Sequence, residues 1–186
     1  MSTADFARQY LSDLKEIIDQ VDMDDMAKVM EEIAPTLCSD RHVFLAGNGG
    51  SAATASHMAN DLMKTVAKAC GKSIRAIALS DNVPLLTAIG NDESFDEIFS
   101  GQLKDLGQEG DLLVVISGSG NSQNLVRACE QAKELKIRTV GFLGMDGGKL
   151  RGLTDVSVVV PSNDYGPIED VHVIFNHLIT AYLKEQ

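Results

Sequence analysis

Positive charge is scarce in this chain: 16 Lys and Arg stand against 27 Asp and Glu, a formal net charge of -11. Phosphate backbones are bound by clustered Lys and Arg, so the balance argues against a nucleic-acid surface as the main function. It does not exclude a small anionic ligand, because helix N-termini and hydroxyl groups bind phosphate without a basic surface. Long hydrophobic runs are missing too. No apolar stretch approaches the roughly 20 residues of a bilayer span, and Met1 to Tyr10 lacks the apolar core with basic flanks of a secretory leader. A cytoplasmic protein with no membrane partner is expected. Cysteine is limited to Cys38, Cys70 and Cys129, with no paired metal spacing, which fits a reducing compartment and three buried packing residues. Linkers, repeats and low-complexity segments are absent, so the 186 residues, 44% of them hydrophobic, are expected to form one domain with an unstapled core.

What is present alternates in period. Phe6, Tyr10, Leu14, Ile17, Ile18 and Val21 form one helical stripe and Met26, Val29, Met30 and Ile33 another, a helical lead-in over residues 1–37. From residue 38 to 186 short apolar runs end in small residues: His42 to Gly47, Ile74 to Leu79, Leu112 to Ile116, Thr139 to Leu143 and Val156 to Val160. Between and after them lie helical patterns from Ser51 to about Ala69, Val83 to Ile89, Phe95 to about Leu106, Ser122 to Leu135, and Ile168 to Leu183. Strand and helix alternating at this spacing predict an α/β fold with a parallel sheet covered on both faces. Ligands of such sheets collect at the carboxyl ends of the strands.

Two of those ends are rich in glycine and hydroxyls. Leu112 to Ile116 runs into Ser117-Gly-Ser-Gly-Asn-Ser122, after which Leu125, Ala128, Cys129, Ala132 and Leu135 repeat at helical spacing. A helix start there offers unpaired N–H groups and a positive dipole end, with serine hydroxyls beside them, so a phosphate ester is the natural guest. An N-capped helix after a turn would use the same residues. Gly47-Asn48-Gly49-Gly50-Ser51-Ala52 formally satisfies G-x-G-x-x-A. The acidic residue that a nicotinamide site should show about 20 positions on is missing, however, and so is any G-x-x-x-x-G-K-[ST]. Two strand–loop–helix units therefore remain, suited to the phosphate and hydroxyls of one polar metabolite. Asp146-Gly147-Gly148 is expected to be a turn.

His57 and Asp61 are four apart on the helix opened by Ser51 and share a face. Glu169 and His177 are eight apart on the last helix and share another. Two helices each giving one imidazole and one carboxylate suit a four-ligand N/O site for zinc or a similar divalent ion, and equally an acid and base pair. His42 and His172 receive no role, His172 being rotated about 60° from the shared face.

Taken together, Gly47-Asn-Gly-Gly-Ser51, His57 with an acid at 61, Gly90-Asn-Asp92, Ser117 to Ser122 and the terminal Glu169 to His177 helix resemble the sugar isomerase (SIS) domain family, and within it the phosphoheptose isomerases. The resemblance covers nearly the whole chain. It implies a three-layer, flavodoxin-like SIS fold with a five-stranded parallel sheet, and a homotetramer with active sites between subunits. The implied activity is conversion of sedoheptulose 7-phosphate to D-glycero-D-manno-heptose 7-phosphate in heptose biosynthesis. By position, Ser117, Ser119 and Ser122 would bind phosphate, and Asn48, Ser51 and Asp92 would contact the sugar. Gly49, Gly118, Asn121 and Glu169 complete the substrate-binding set. Asp61 would be the base with His177 as its partner, and His57, Asp61, Glu169 and His177 would hold a divalent metal, zinc above all, with no organic cofactor. Four departures from the family pattern stand out: Asp61 replaces Glu, Glu169 replaces Gln, Gly118 replaces Thr, and an acidic residue near Gly166 or Pro167 is absent. A noncatalytic phosphosugar sensor or adaptor of the same fold, or an isomerase of another ketose phosphate, is compatible with the same motifs.

Overall fold

Each of the five apolar runs forms a strand: β1 (His42–Gly47), β2 (Arg75–Ala78), β3 (Leu112–Ser117), β4 (Arg138–Gly144) and β5 (Val156–Val160). In the computed structural model, which describes residues 1–71 and 74–186, they make one all-parallel sheet in the order β2-β1-β3-β4-β5. This is the doubly wound order that the alternation predicts, with a ligand crevice where the strand order reverses, between β1 and β3. β2 is shorter than its apolar run. β3 continues one residue beyond its run to Ser117, which aligns with Leu143 and so enters the sheet's hydrogen-bonded frame.

The period of two sorts the strand side chains into two cores. Val43 and Leu45 of β1, with Val114 and Ile116 of β3, face one side; Phe44 and Ala46, with Leu113 and Val115, face the other. All eight are buried. Burial of each large side chain contributes roughly 1.5–3 kcal/mol, which is why these runs are apolar without alternation. The first face is covered by α2 (Met23–Ile33), α3 (Gly50–Asn60) and α8 (Tyr165–Leu183), the second by α6 (Ser100–Leu106) and α7 (Gln123–Glu134). α1 (Thr3–Asp19) begins with a capping box, Ser2 against Asp5, and buries no residue fully. Its Leu14, Ile17 and Ile18 only partly pack on the first core.

Four helices differ from expectation, α8 by starting at Tyr165, three residues before its apolar pattern. The run predicted from Ser51 to about Ala69 is α3, then a wide π-helical stretch from Asp61 to Val66, then α4 (Ala67–Cys70), ended by Gly71 in the left-handed conformation. The run predicted from Phe95 is a tight 3-10 turn followed by α6, because the Ser100 hydroxyl bonds back to the Glu97 carbonyl and carboxylate and the chain restarts there. α5 (Val83–Asp92) starts at an Asn82 cap with Pro84 in its first turn and runs three residues further than its apolar pattern. Among the cysteines, Cys129 is buried as expected, and burial pushes its thiol up to about 12. The side chains of Cys38 and Cys70 lie outside the described residues.

Candidate active site

The serine loop is a rigid cradle at the top of β3. Ser117 Oγ accepts from the Gly120 backbone N–H at 3.0 Å, folding the loop over itself. Gly120 has φ +64°, and a side chain there would run into the Gly147 carbonyl, so only glycine fits. The turn at Gly147 braces the loop from behind: Leu150 N–H donates to the Gly120 carbonyl at 3.0 Å, and Lys149 N–H to Asn121 Oδ1 at 3.2 Å. Ser122 is the N-cap of α7, yet its hydroxyl makes no capping bond, which leaves the helix start open to an external acceptor. α3 likewise opens, after Gly49, with no side-chain cap.

The two helix starts are tied together. Asn48 Nδ2 donates to Asn124 Oδ1 and Asn124 Nδ2 to Asn48 Oδ1, each at 2.9 Å. Between them lies a cavity of about 120 Å³ lined by Asn48, Ser51, Ser117, Gly118, Ser119, Ser122, Tyr165 and Glu169, with Ile116 at its base. A second depression, about 290 Å³, is bordered by Gly50, Thr54, His57, Glu169 and Asp170. Glu169 lines both, its carboxylate lying directly against Gly50. The hydroxyl-rich nest and the imidazole side of the site are therefore neighbours within one chain.

Beyond Glu169, α3, the π-helical stretch after it and α8 bring His57, Asp61 and His177 together, with ligand atoms all within 4.8 Å of one another. His57 Nε2 is 3.3 Å from Asp61 Oδ2, and the His57 and His177 rings meet edge to face at 5.0 Å. The Asp61 side chain is only 12% exposed, and its carboxylate is held from two sides. Thr65 Oγ1 donates to Oδ1 at 3.1 Å, and Asn176 Nδ2 donates to Oδ2 at 2.9 Å. Three of the four expected metal ligands thus cluster, and two imidazoles with one carboxylate are a donor set suited to a divalent ion. Glu169 does not join that cluster; it stands between it and the serine cavity.

Residues 9–144 match the SIS domain family. The chain belongs to that family. It is 42% identical over 149 residues to the phosphoheptose isomerase of a Nitratiruptor species, covering 80% of this chain and 79% of that protein. The structure of phosphoheptose isomerase from Neisseria gonorrhoeae superimposes with a TM-score of 0.91 at 29% identity, and that from Francisella tularensis with 0.91 at 28%, each over 100% of both chains. The five-stranded, three-layer architecture is the SIS fold of these neighbours.

Within this SIS fold the candidate residues separate. Asn48, Ser51, Ser117, Gly118, Ser119, Ser122 and Glu169 converge on one cavity. Asn121 does not: its amide is committed to the loop, donating to the Ser119 carbonyl at 2.8 Å and accepting from Lys149. Gly49 shapes the turn with φ +56° and lines neither cavity. Asp92 lies at the exposed end of α5, where its carboxylate accepts from Asn91 Nδ2 at 2.8 Å, and it lines neither cavity of this chain. Sequence reasoning missed Asn124, Thr65, Asn176 and Tyr165. Asn124 sits within the Ser/Asn run that marks the loop, and Thr65 is four residues from Asp61 on the same helix, so both carried a local signal. Asn176 carried none beyond its place beside His177, and Tyr165 lies before the start of the predicted last helix. The turn from Gly144 to Gly148, expected as a plain connection, is the loop's rear support.

Proposed function

We propose that this chain is an aldose–ketose isomerase of phosphorylated sugars that interconverts sedoheptulose 7-phosphate and D-glycero-D-manno-heptose 7-phosphate. The observation that carries this is the junction at Glu169, which puts a phosphate-sized, hydroxyl-lined nest beside a carboxylate with two imidazoles. All of residues 1–186 act as one SIS domain, in the cytoplasm; among the described residues no helix is long and apolar enough to cross a membrane.

Isomerisation moves a proton between adjacent carbons through an enediol. It needs a base at carbon, an acid at oxygen and stabilisation of the developing oxyanion. Ser117, Ser119 and Ser122, with the open start of α7, anchor the phosphate, and this remote grip positions the reacting carbons. Asn48 and Ser51 contact the sugar hydroxyls from the start of α3. Asp61, its carboxylate fixed by Thr65 and Asn176, takes the carbon-bound proton, and His177 moves protons at the oxygens. Asp92 reaches a substrate only from a neighbouring copy, consistent with a homotetramer whose sites lie between subunits. His57, Asp61 and His177, with Glu169 adjacent, would hold a divalent ion, zinc by donor type, that polarises the sugar's carbonyl. No organic cofactor is called for.

Incubation with a panel of sugar phosphates in deuterated water, followed by NMR of carbon-bound proton exchange, tests this directly. Exchange and net conversion are expected with sedoheptulose 7-phosphate, and Asp61→Asn should keep sugar-phosphate binding while losing at least about 100-fold in turnover. Exchange on a different ketose phosphate only would replace the substrate, and no exchange on any would end the enzyme assignment. Carefully dialysed protein should carry about one divalent ion per chain; full activity with no ion present would remove the metal from the mechanism.

A further inference from the structure

Asn176 has an arrangement that packing does not account for. It is completely buried on α8, and its one side-chain hydrogen bond among the described residues is the donation from Nδ2 to Asp61 Oδ2. Its own Oδ1 has no partner among them. The amide cannot be turned round to cure this, because an amide oxygen facing a carboxylate oxygen would set two acceptors against each other. An apolar side chain there would strand no carbonyl of its own, but it would take from the buried Asp61 carboxylate one of its two donors, so the asparagine is tied to that carboxylate. What the asparagine supplies is a donor aimed at Oδ2, the same oxygen that faces His57 Nε2 at 3.3 Å. The other oxygen is held by Thr65 from within the π-helical turn. Asp61 has two side-chain torsions, and donors from two elements pin both of its oxygens. One of those elements carries the adjacent residue His177.

We propose that Asn176 is a positioning residue: its buried amide sets the orientation of the Asp61 carboxylate relative to His57 and His177. This rests on Asp61 being the base named above. Asn176 reaches neither cavity of the site, so it acts through Asp61 alone. An outer-shell partner of this kind typically governs 10- to 100-fold in activity or metal affinity.

Asn176→Leu, with the same branching and no polar atoms, is the decisive variant. Expected are a kcat about 10- to 100-fold lower and a KM for sedoheptulose 7-phosphate within about twofold of the unaltered protein, with a Tm modestly lowered by the lost hydrogen bond. A kcat within twofold, or a comparable change of kcat and KM together, would overturn the positioning role. Asn176→Ala, which cannot overpack, should show the same split if the leucine variant fails to fold. Crystal structures of the unaltered and variant proteins decide the same point without turnover: in the variant the carboxylate is expected to leave its place facing His57 Nε2, and an unmoved carboxylate would refute the proposal. Absence of turnover in the unaltered protein would reject the isomerase assignment while leaving that comparison to judge Asn176.

Discussion

His172 shows how much a single side chain can differ from its neighbours on one helix. It is completely buried and packs against the rings of Phe142 and Phe175. Burial disfavours the imidazolium and pulls its pKa down to about 4, against a weaker opposing pull from the Leu143 backbone. A folded-state pKa below the unfolded value of about 6.5 means the unfolded chain binds the proton more readily. Stability from this group is therefore complete above about pH 6.5 and is lost as pH falls toward 4, by on the order of 3 kcal/mol in all. Urea unfolding at pH 7.5 and pH 4.5 should show a larger acid loss for the unaltered protein than for His172→Leu. Equal losses would mean His172 does not sense the acid. The offset of His172 from the face of Glu169 and His177 was legible in the spacing, and His172 lines neither cavity. Its burial was not legible, because period alone does not say which neighbouring face meets the sheet.

At the level of elements, α8 supplies much of the site's wall. Its first residue, Tyr165, lies over Gly118: a Cβ at Gly118 would stand 2.8 Å from the ring. The family's threonine at this position would collide with that ring, so glycine and tyrosine form one unit here. Gly118→Thr is expected to raise KM roughly tenfold with little change in kcat, as the displaced ring crowds the serine cavity, consistent with an overpacking cost of about 1–3 kcal/mol. Adding Tyr165→Ala should restore KM; an unchanged KM in the single variant would show the ring is free to swing aside. Strands and helices were readable because apolar runs and 3.6-residue stripes report burial directly. The wide turn from Asp61 was not, since its 6 residues are too few for a change of period to show in the apolar pattern. Nor were the pairings of Asn48 with Asn124 or Asp61 with Asn176, which span 76 and 115 residues and leave no trace in local spacing.

Across the whole molecule, apolar surface is concentrated on α1 and around α5. Phe6 and Leu11 are each 64% exposed on a helix with no buried residue, and Val83, Leu85, Phe95 and Leu106 are exposed about α5. Patches of this kind on a folded domain mark contact surfaces, which fits the homotetramer proposed above. Native mass spectrometry should give four times the 20.0 kDa chain mass, and Phe6→Ser with Leu11→Ser should shift it to smaller species. A monomer at micromolar concentration would refute the assembly and leave Asp92 without a ligand to reach. The alternation of strand and helix announced the layers, but a half-apolar first helix reads alike whether it meets its own core or another copy.

The reciprocal amide clasp between Asn48 and Asn124 joins the loop before α3 to α7, helices that lie on opposite sides of the sheet. The mouth of the crevice is thereby buttoned at a set width before any guest arrives. An incoming open-chain sugar meets a slot with little left to rearrange, so most of the ordering on binding falls on the flexible carbon chain of the guest.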